Sequence, residues 1–391
     1  MDAEAKIPEQ SRAEVRFVAS QPGLADAARR LSAHAVVAGD LEADSMFHFN
    51  ERICLLQLAA GEHIYVIDPL AVSDMSPIGK IMENDAIRKV FHGADYDVRC
   101  LFRDYGISIS NLFDTEMAGR FLGYAETGLE ALIRKQFGIC LEKKIQKRDW
   151  SQRPLPGEMI NYAADDVRYL EALYSLLEKK LEEKNRLCWV LEECSHIAAS
   201  RPEQKDEAPL FTRCKGAGRL DPRSLAVLEA LLRMRMEKAR KKDRPQFKIL
   251  ANAALIKLAQ TRPKSMKKLQ SANILSKKQL QMYGDEILSA IQEGASLSPA
   301  ELPRYPRAPR PACSAEATKY VRRIKRWREK EARRLAMDPG TFLSNAQIKA
   351  IAEKAPSSAN DLNAVTGMKK WQIKEYGEKL VEVIHKGRPH E

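Results

Sequence analysis

Residues 33–45 read AHAVVAGDLEADS, and this short stretch decides what the first half of the chain can be. The apolar run AHAVVA is typical of a buried strand, and it leads directly into Asp40 and Glu42. Side chains alternate between the faces of a strand, so residues i and i+2 point the same way, about 6.5–7 Å apart. Two neighbouring carboxylates repel each other and are costly to desolvate. The pattern therefore indicates a stabilising partner: water, a nearby cation or a bound metal.

A second acidic segment lies further along the chain, in HGADYDVRCL at residues 92–101. It follows the apolar run IRKVF, which we predict to be a strand, and it offers Asp95 and Asp97 where a helix is expected to begin. An Asp in this position is also typical of a simple helix cap or of a partner for the helix dipole.

The third acidic segment is NYAADDVRYL, residues 161–170, inside a helical pattern that we predict to run from about 156 to 184. Tyr162 and Asp166 are four residues apart and share one face of the predicted helix, whereas Asp165 is turned about 100° away. Taken singly, this pair also fits ordinary helix packing, and the pair on the strand also fits an exposed sheet edge.

Carboxylates contributed by separate segments suit hard cations such as Mg²⁺ or Mn²⁺. Two such ions about 3.5–4 Å apart can stabilise both the attacking and the leaving oxygen in phosphodiester hydrolysis. The sequence contains no His/Cys cluster typical of zinc, and no G-x-x-x-x-G-K-[ST] loop, so ATP hydrolysis is not expected.

The charge of the chain is unevenly distributed along its 391 residues. Residues 1–196 carry a net charge of −8, and the remainder carries +20, which favours a polyanion such as nucleic acid as the partner. The seven cysteines are scattered, with no Cys-x-x-Cys pair, which predicts reduced thiols in a cytoplasmic protein. Neither a membrane-spanning run nor a signal-peptide pattern is present, so no membrane partner is expected.

The first half has the pattern of a mixed α/β domain. Apolar runs predict strands at 35–42, 52–59, 63–67 and 88–92. Helical patterns follow at 95–105, 115–122 and 128–137, before the long one at 156–184. Strands followed by helices indicate a mixed sheet flanked by helices.

The second half contains an internal repeat with a constant offset of 93 residues. Identical residues recur at this offset throughout: Ala239-Arg240 and Ala332-Arg333, Asn252-Ala253 and Asn345-Ala346, Pro263 and Pro356, Leu269 and Leu362, Tyr283-Gly284 and Tyr376-Gly377, Gly294 and Gly387. The apolar positions have helical spacing, so we predict two copies of one small all-helical domain.

The acidic motifs, in this order, resemble those of the DEDD exonuclease superfamily, in the branch with a tyrosine in its third motif, and within it the bacterial ribonuclease D family. RDWSQRPL at 148–155 and FDTEMAGRFLG at 113–123 resemble the same family, and the repeats resemble HRDC modules. The first motif departs from the common pattern, because DLEADS has Leu41 and Ala43 where the family often has Thr and a large apolar residue. Both should point away from the carboxylates.

The resemblance implies a fold of α/β plus all-α class, with a ribonuclease H-like exonuclease domain followed by two HRDC domains. The expected bounds are 13–197 for the exonuclease domain, 198–218 for a linker, 219–294 for the first HRDC domain, 295–314 for a proline-rich linker and 315–388 for the second HRDC domain.

The resemblance also implies 3′-to-5′ hydrolysis of RNA to 5′-mononucleotides, with precursors of transfer RNA as the family's substrates. Asp40, Glu42 and Asp166 would hold the first of two divalent ions, Mg²⁺ or Mn²⁺. Asp40 would also contact the second ion, with Asp97 supporting it, and Tyr162 would orient the attacking water. A monomer acting on RNA with a free 3′ end is expected.

Basic clusters in the second half suit phosphate contact, with aromatic stacking at a tryptophan. The candidate RNA-binding residues are Arg240, Lys241, Lys242, Lys267, Lys268, Arg322, Arg323, Arg326, Trp327, Lys369 and Lys370.

Other functions stay open at this point. A non-catalytic RNA-binding adaptor could keep the fold, a DNA-directed 3′-to-5′ exonuclease would use the same carboxylates, and a helicase accessory would need a partner that supplies the motor. Matched RNA and DNA strands would distinguish the two nucleases.

Overall fold

A computed structural model describes residues 13–142, 145–202, 208–306 and 314–385. The chain divides into two compact units. Within the described ranges, the first unit comprises residues 13–43, 53–142, 145–202 and 314–385, and the second comprises 44–52 and 208–306. The second helical repeat therefore belongs to the same compact unit as the sheet.

The first unit is built around a six-stranded mixed sheet with the order β1-β4-β3-β2-β5-β6. The β2–β3 and β3–β4 pairs are antiparallel, and the other pairs are parallel. The strands are β1 (Glu14–Val18), β2 (Val36–Ala43), β3 (Ile53–Ala60), β4 (His63–Ile67), β5 (Arg88–Phe91) and β6 (Leu112–Asp114).

Four strands lie within a residue or two of the predicted ones, and the predicted mixed sheet is confirmed. Strands β1 and β6 were not predicted. β1 is a polar edge strand, EVRFV, and β6 has three residues, so neither contains an apolar run long enough to stand out.

Helices cover both faces of the sheet. They are α1 (Gln21–Leu31), α2 (Ser76–Met82), α3 (Asp95–Tyr105), α4 (Thr115–Leu122), α5 (Leu129–Phe137), α6 (Gly157–Arg168), α7 (Leu170–Glu183) and α8 (Leu187–Ala198). The prediction of a single helix over 156–184 is wrong, because Tyr169 separates α6 from α7 with φ −107° and ψ 0°. The break contains neither Gly nor Pro, and the apolar residues keep a helical spacing on both sides of it. The sequence pattern therefore did not reveal it.

The central strands are fully enclosed. Every residue of β3 is buried, and Gly39 of β2 lies directly beneath the ring of Phe91 from β5. A Cβ atom at position 39 would come within 2.5 Å of that ring. The glycine therefore lets two neighbouring parts of the sheet pack closely on the face opposite Asp40.

The second repeat completes the first unit. Its helices are α14 (Ala315–Leu335), α15 (Pro339–Phe342), α16 (Asn345–Lys354) and α17 (Lys370–His385). The ring of Trp371 on α17 stacks on Trp189 of α8 with centroids 4.5 Å apart, and both residues are buried. The carboxylate of Glu192 accepts hydrogen bonds from the backbone N–H groups of Lys370 (2.6 Å) and Trp371 (2.9 Å). The exonuclease domain thus caps the first turn of α17.

A second contact fixes the other end of the same repeat. The buried guanidinium of Arg186 donates to the carbonyl oxygens of Phe121 and Leu335, both at 2.7 Å. Gly123 has φ +83°, and a Cβ atom there would lie 1.7 Å from the carbonyl oxygen of Ala336. This close approach and the positive φ together require glycine.

The first repeat forms the second unit with residues 44–52. Its helices are α9 (Pro222–Lys241), α10 (Gln246–Ile249), α11 (Asn252–Thr261), α12 (Met266–Ser271) and α13 (Lys277–Ser296). Residues 208–219, inside the predicted linker, form two 3₁₀ turns whose Phe211 and Cys214 are buried in this unit's core. In the proline-rich linker, Tyr305 donates to the carbonyl oxygen of Thr212 at 3.1 Å. Residues 203–207 and 307–313 of the two predicted linkers lie outside the described residues.

The two repeats share an internal arginine clamp at the same sequence offset. Arg235 donates to the carbonyl oxygen of Leu250 (3.0 Å) and to Asn252 Oδ1 (2.6 Å). Its counterpart Arg328 donates to Leu343 (3.0 Å) and to Asn345 Oδ1 (3.1 Å). The repeat therefore preserves a buried polar interaction as well as identical residues. In the part of the chain that the structure describes, no helix is long and apolar enough to cross a membrane.

Replacing Trp371 by lysine, the residue that the first repeat has at the corresponding Lys278, should destabilise the first unit. Loss of a buried tryptophan costs about 3–5 kcal/mol, and the lysine cannot replace the ring that stacks on Trp189. We expect the second repeat to unfold at lower denaturant concentration and to become sensitive to limited proteolysis. Lys374→Ala, at an exposed site on the same helix, should leave both measurements unchanged. Unaltered unfolding of Trp371→Lys would contradict the docking role of the stacked tryptophans.

Candidate active site

Asp40 and Glu42 lie on β2 and point to the same face of the sheet, as predicted from their spacing. Across the antiparallel β2–β3 pair, Asp40 faces Gln57 and Glu42 faces Leu55. Leu41 is buried on the opposite face. The unusual residue in DLEADS therefore contributes to packing on the other side of the sheet from the carboxylates.

Asp97 lies in the first turn of α3, which begins at Asp95 as predicted. Asp97 is only 6% exposed, whereas Asp95 is exposed and forms an ion pair with Arg99 at 2.6 Å. The structure thus separates the two aspartates of this motif: Asp97 points inward, and Asp95 belongs to the surface of the helix.

Tyr162 and Asp166 lie on α6, which packs against β2, β3 and β4 on the face that carries Asp40. Asp165 forms an ion pair with Arg168 at 2.7 Å, and its side chain is 48% exposed. The predicted division of NYAADD is therefore found: Tyr162 and Asp166 face the sheet, and Asp165 does not.

These elements bring three carboxylates into a single cluster. Oxygen atoms of Asp40, Glu42 and Asp166 all lie within 4.8 Å of one another, and each residue is partly buried. Asp97 is close enough for its charge to raise the pKa of Glu42. Four carboxylates from β2, α3 and α6 thus share one small volume, although they are up to 126 residues apart in the sequence.

Burial and mutual repulsion raise the pKa values of all four carboxyl groups. Desolvation raises the pKa of Asp40 to about 7 and that of Asp166 to about 8, the latter with help from the charge of Asp40. The pKa of Glu42 rises to about 10 through desolvation and the charges of Asp40, Asp166 and Asp97. Burial and the charge of Asp40 hold the pKa of Asp97 well above its ordinary value. Without a compensating cation, the cluster therefore favours protonation.

The cluster fits a divalent metal site. Within the described ranges, none of the four carboxylates forms an ion pair with a lysine, arginine or histidine. All four groups supply oxygen atoms, which are the ligands that Mg²⁺ and Mn²⁺ prefer. The donor set and its unbalanced charge therefore match a hard divalent ion.

Gln57, which the sequence motifs did not single out, is a further polar residue at this cluster. It is fully buried opposite Asp40, and neither its side-chain oxygen nor its nitrogen has a hydrogen-bond partner in the described structure. An unsatisfied buried amide is costly, so this side chain fits a role in hydrogen-bonding a group bound beside the carboxylates. The signal in the sequence was a lone polar residue in the apolar run ICLLQLAA.

Asp114 joins the starts of two helices and is a second residue that sequence reasoning missed. Its Oδ1 accepts from the N–H groups of Gly93 (3.0 Å) and Glu116 (2.8 Å), and its Oδ2 accepts from Ala94 (2.9 Å). Ala94 precedes α3 and offers no capping side chain of its own. Asp114 therefore fixes the turn that leads into the helix carrying Asp97, and it caps its own helix α4.

The RDWSQRPL segment positions the start of α6. Arg153 forms a two-pronged ion pair with the buried Asp68 at the end of β4, through Nε (2.6 Å) and Nη2 (2.7 Å). Arg153 Nη2 also donates to the carbonyl oxygen of Cys54 (2.9 Å). The segment places Trp150 beside Tyr162, with ring centroids 6.1 Å apart. Tyr162 thus lies beside the ring of Trp150, and Arg153 connects the segment that carries Trp150 to the end of β4.

The candidate RNA-binding residues differ in exposure. Arg240, Lys241, Lys242, Lys267, Lys268, Arg322, Arg326 and Lys370 have exposed side chains. Three others have partners within the first unit. The ring of Trp327 packs on Phe342, Arg323 donates to the carbonyl oxygen of Ile384, and Lys369 forms an ion pair with Glu193. Contact of any of these residues with RNA stays a prediction.

The loop that follows the first motif belongs to the second unit. Asp44 is buried and accepts from the backbone N–H of Arg52 at 2.8 Å. His48 Nδ1 lies 2.7 Å from Asp243 Oδ2, and the N–H of Phe49 donates to the same carboxylate. Asp44 and His48 therefore have structural partners in that unit.

The raised pKa of Glu42 yields a stability prediction for the metal-free protein. A carboxyl group whose folded pKa lies above its ordinary value of 4.5 stabilises the fold at low pH, and this contribution is lost as the pH rises toward 10. In the presence of chelator, we expect the melting temperature to fall between pH 5 and 8 (about the range in which ordinary carboxylates are ionised).

Glu42→Gln should reduce this fall and stabilise the metal-free protein at pH 8 by on the order of 2 kcal/mol, because an uncharged amide replaces a group that resists ionisation. Added Mg²⁺ should raise the melting temperature of the unaltered protein more than that of the variant. Thermal unfolding at several pH values measures both effects, and equal pH profiles for the two proteins would refute the electrostatic argument.

Comparison with known proteins agrees with this arrangement. Residues 15–182 match the 3′-5′ exonuclease family, and residues 224–291 and 317–384 each match the HRDC domain. A ribonuclease D of Pseudomonas paraeruginosa is 29% identical over 95% of this chain and 98% of its own length. One of Bartonella henselae is 32% identical over 66% of this chain and 64% of its own.

Solved structures show the same fold. The match to the crystal structure of Escherichia coli RNase D covers 96% of this chain and 100% of the matched chain. Its TM-score is 0.71, and the sequence identity is 23%. The order of the motifs, the carboxylate cluster and the two helical repeats are accounted for together by one assignment. The chain belongs to the ribonuclease D family of 3′-to-5′ exoribonucleases, with an exonuclease domain followed by two HRDC domains.

Proposed function

We propose that this protein hydrolyses RNA from a free 3′ end to 5′-mononucleotides, with the help of two divalent metal ions, and that it acts in the maturation of transfer-RNA 3′ ends. The observation that carries the proposal is the convergence of Asp40, Glu42 and Asp166, with oxygen atoms within 4.8 Å of one another. The ribonuclease D names of its relatives support RNA as the substrate.

The four carboxylates are assigned to metal binding. Asp40, Glu42 and Asp166 would hold one ion, and Asp40 together with Asp97 would hold the other. When bound, such ions lower the pKa of water and stabilise negative charge on phosphate oxygens. The carboxylates have to be ionised to bind the metal ions. A bound cation relieves the repulsion between the ionised carboxylates, so this repulsion favours cation uptake.

Tyr162 acts as a positioning group in this proposal. Burial and the charge of Asp166 raise the pKa of its phenol further above the ordinary value of 10, so the hydroxyl keeps its proton at neutral pH. A neutral phenol can donate one hydrogen bond and accept another, but it is a poor base. Tyr162 would therefore orient the attacking water, while a carboxylate or solvent takes the proton.

The expected setting is a monomeric cytoplasmic enzyme. Six cysteines lie among the described residues and four of them are buried, which agrees with a reducing compartment. Neither the oligomeric state nor the compartment enters the catalytic argument.

The test is a degradation assay with RNA labelled at its 5′ end and a free 3′ end, in Mg²⁺ or Mn²⁺. We expect a ladder that shortens from the 3′ end and disappears with chelator and in Asp40→Ala. Asp166→Asn should lower the rate at least about 10²-fold, in the range seen when one charge-stabilising group is removed from an active site.

Asp165→Asn is the matched control, because it is the same change one residue away, at a side chain that points away from the cluster. It should keep most of the activity. Tight RNA binding without shortening would favour a non-catalytic adaptor, and faster shortening of a matched DNA strand would favour a DNA exonuclease. Equal losses in Asp165→Asn and Asp166→Asn would refute the assigned site.

Asp114 should act as a positioning residue through Asp97. Asp114→Asn replaces one of two accepting oxygens by an NH₂ group, which cannot accept from the backbone N–H groups before α3 and α4. We expect the Mg²⁺ concentration for half-maximal activity to rise about 10- to 100-fold, as for other residues that support metal ligands.

A purely structural role would instead lower the melting temperature and leave the Mg²⁺ dependence of the folded fraction unchanged. Measuring both separates the two roles, and Asp114→Glu, which restores the charge at a longer reach, should recover part of the metal affinity. An unchanged Mg²⁺ requirement in Asp114→Asn would exclude the positioning role.

A further inference from the structure

The first HRDC domain contains a cleft of about 870 Å³ that none of the motifs predicted. Its wall carries the side chains of Arg223, Arg262 and Lys264, and its floor includes the apolar residues Leu288 and Ile291. No carboxylate lies among the residues that line it. The cleft thus presents three cations over an apolar floor.

Arg223 is held in place without losing its charge. Its Nη1 atom donates to the carbonyl oxygens of Ala295 (3.0 Å) and Leu297, both at the end of α13. The carboxylate of nearby Asp221 is engaged by the N–H and hydroxyl groups at the start of α9. In the described structure, Arg223 forms no ion pair with a carboxylate, so its guanidinium remains a fixed positive charge.

Arg262 occupies a backbone position that does not favour arginine. It ends α11 with φ +47° and ψ +57°, a left-handed conformation in which glycine or asparagine is least strained. The second HRDC domain has Ala355 at the corresponding position, with φ +46° and ψ +57°. The same backbone therefore forms without a cation, and the arginine side chain needs another explanation.

The second HRDC domain lacks most of these cations. At the 93-residue offset, five cationic positions become neutral or acidic: Arg223 to Glu316, Arg262 to Ala355, Lys264 to Ser357, Lys267 to Asn360 and Lys268 to Asp361. Two neutral lining positions become cationic, Thr261 to Lys354 and Ala295 to Arg388. Asp361 accepts hydrogen bonds from the hydroxyl of Ser357 and from two backbone N–H groups, so it closes a turn. Over the cleft lining and the two α12 lysines, the two copies thus differ by five charges.

None of the acidic residues of α13 is among the residues that line the cleft. Glu293 lines a different cavity, together with Glu229 and Phe211. Glu286 pairs with Lys238, away from the cleft lining, and Asp285 is exposed one turn before Leu288. Outside α13, Asp221 is close enough to Arg262 for the guanidinium charge to help lower the pKa of that carboxyl group. The cleft therefore keeps a net positive charge from Arg223, Arg262 and Lys264, next to the exposed Lys267 and Lys268 on α12.

We infer that this cleft and the adjoining α12 lysines bind the phosphate groups of the RNA strand, and that the second HRDC domain does not share this role. The inference deepens the proposed function and rests on it. Three features favour an extended strand over a single small anion: the charges come from three separate chain segments, the cleft is far larger than one phosphate, and Leu288 and Ile291 offer an apolar surface to sugars or bases.

The test transfers residues of the second domain into the first. Arg262→Ala/Lys264→Ser introduces the two residues that the second domain has on the same backbone, so the fold should be kept. Arg213→Ala/Lys215→Ser removes two exposed charges of the same compact unit outside the cleft and is the matched control. Circular dichroism and the melting temperature establish that each full-length variant folds.

Binding is measured by anisotropy of a labelled single-stranded RNA in chelator, over a range of salt concentrations. We expect the cleft variant to bind roughly 10-fold more weakly at physiological salt and its log–log salt slope to fall by about 1.4, which is two lost phosphate contacts on a single strand. The control should lose much less. Equal losses in both variants would mean diffuse attraction and would overturn the cleft assignment.

Turnover separates this inference from the proposed function. For a long RNA in Mg²⁺, the cleft variant should have a higher KM and an unchanged kcat, whereas a trinucleotide should be degraded as by the unaltered protein. If the unaltered protein degrades neither RNA, the proposed function fails. If it degrades both and the cleft variant shows the same KM for the long RNA, the proposed function stands and the cleft inference is wrong.

Discussion

Repulsion among four desolvated carboxylates is the constraint around which the exonuclease domain is arranged. Asp40, Glu42, Asp97 and Asp166 each have a raised pKa, so the folded chain holds them together against their preferred charge state. Such a cluster persists only if its surroundings fix the backbone that carries it.

Each of the three elements at the site is anchored at a point away from the carboxylates. The fully buried strand β3 pairs with β2, the carboxylate of Asp114 holds the turn before α3, and the ion pair between Arg153 and Asp68 holds the segment before α6. The anchors satisfy backbone or ionic groups that are themselves buried, so they cannot be exchanged easily for solvent. Rigidity at the site therefore comes from ordinary interactions placed around it.

Local periodicity explains what the sequence could predict. The i, i+2 spacing in Asp40-Leu41-Glu42 and the i, i+4 spacing of Tyr162 and Asp166 each fix a shared face once the element is known. The start of α3 at Asp95 followed from an apolar run that ends beside an acidic residue. Short-range geometry is sufficient for these residues, because each motif lies within a single strand or helix.

The remaining parts of the site depend on pairings between distant segments. The position of Gln57 opposite Asp40 depends on the β2–β3 register, and Asp114 reaches α3 only because β5 and β6 are neighbours in the sheet. The break at Tyr169 has no Gly or Pro to mark it. Cooperation between distant segments leaves no periodic signal in a single sequence, so these features could not be predicted from it.

The two HRDC domains show how a duplicated fold can divide its surface between tasks. At one corresponding position the second domain has Trp371, buried against Trp189, and the first has the exposed Lys278. At another face the first domain has Arg262 and Lys264, and the second has Ala355 and Ser357. The conserved arginine clamp shows that these exchanges leave the helical core intact.

The difference in surface residues between the two HRDC domains affects how the positive charge of the second half can be used. An acidic metal site repels a polyanion unless bound cations neutralise it, so binding energy for RNA has to come largely from other surfaces. In the second domain, several basic side chains are engaged in holding its own fold or in docking, as Arg328, Arg323 and Lys369 are. The first domain also engages part of its charge, as in Arg235, Lys238 and Lys241. Net charge alone therefore overstates how much of the basic half is available to phosphate.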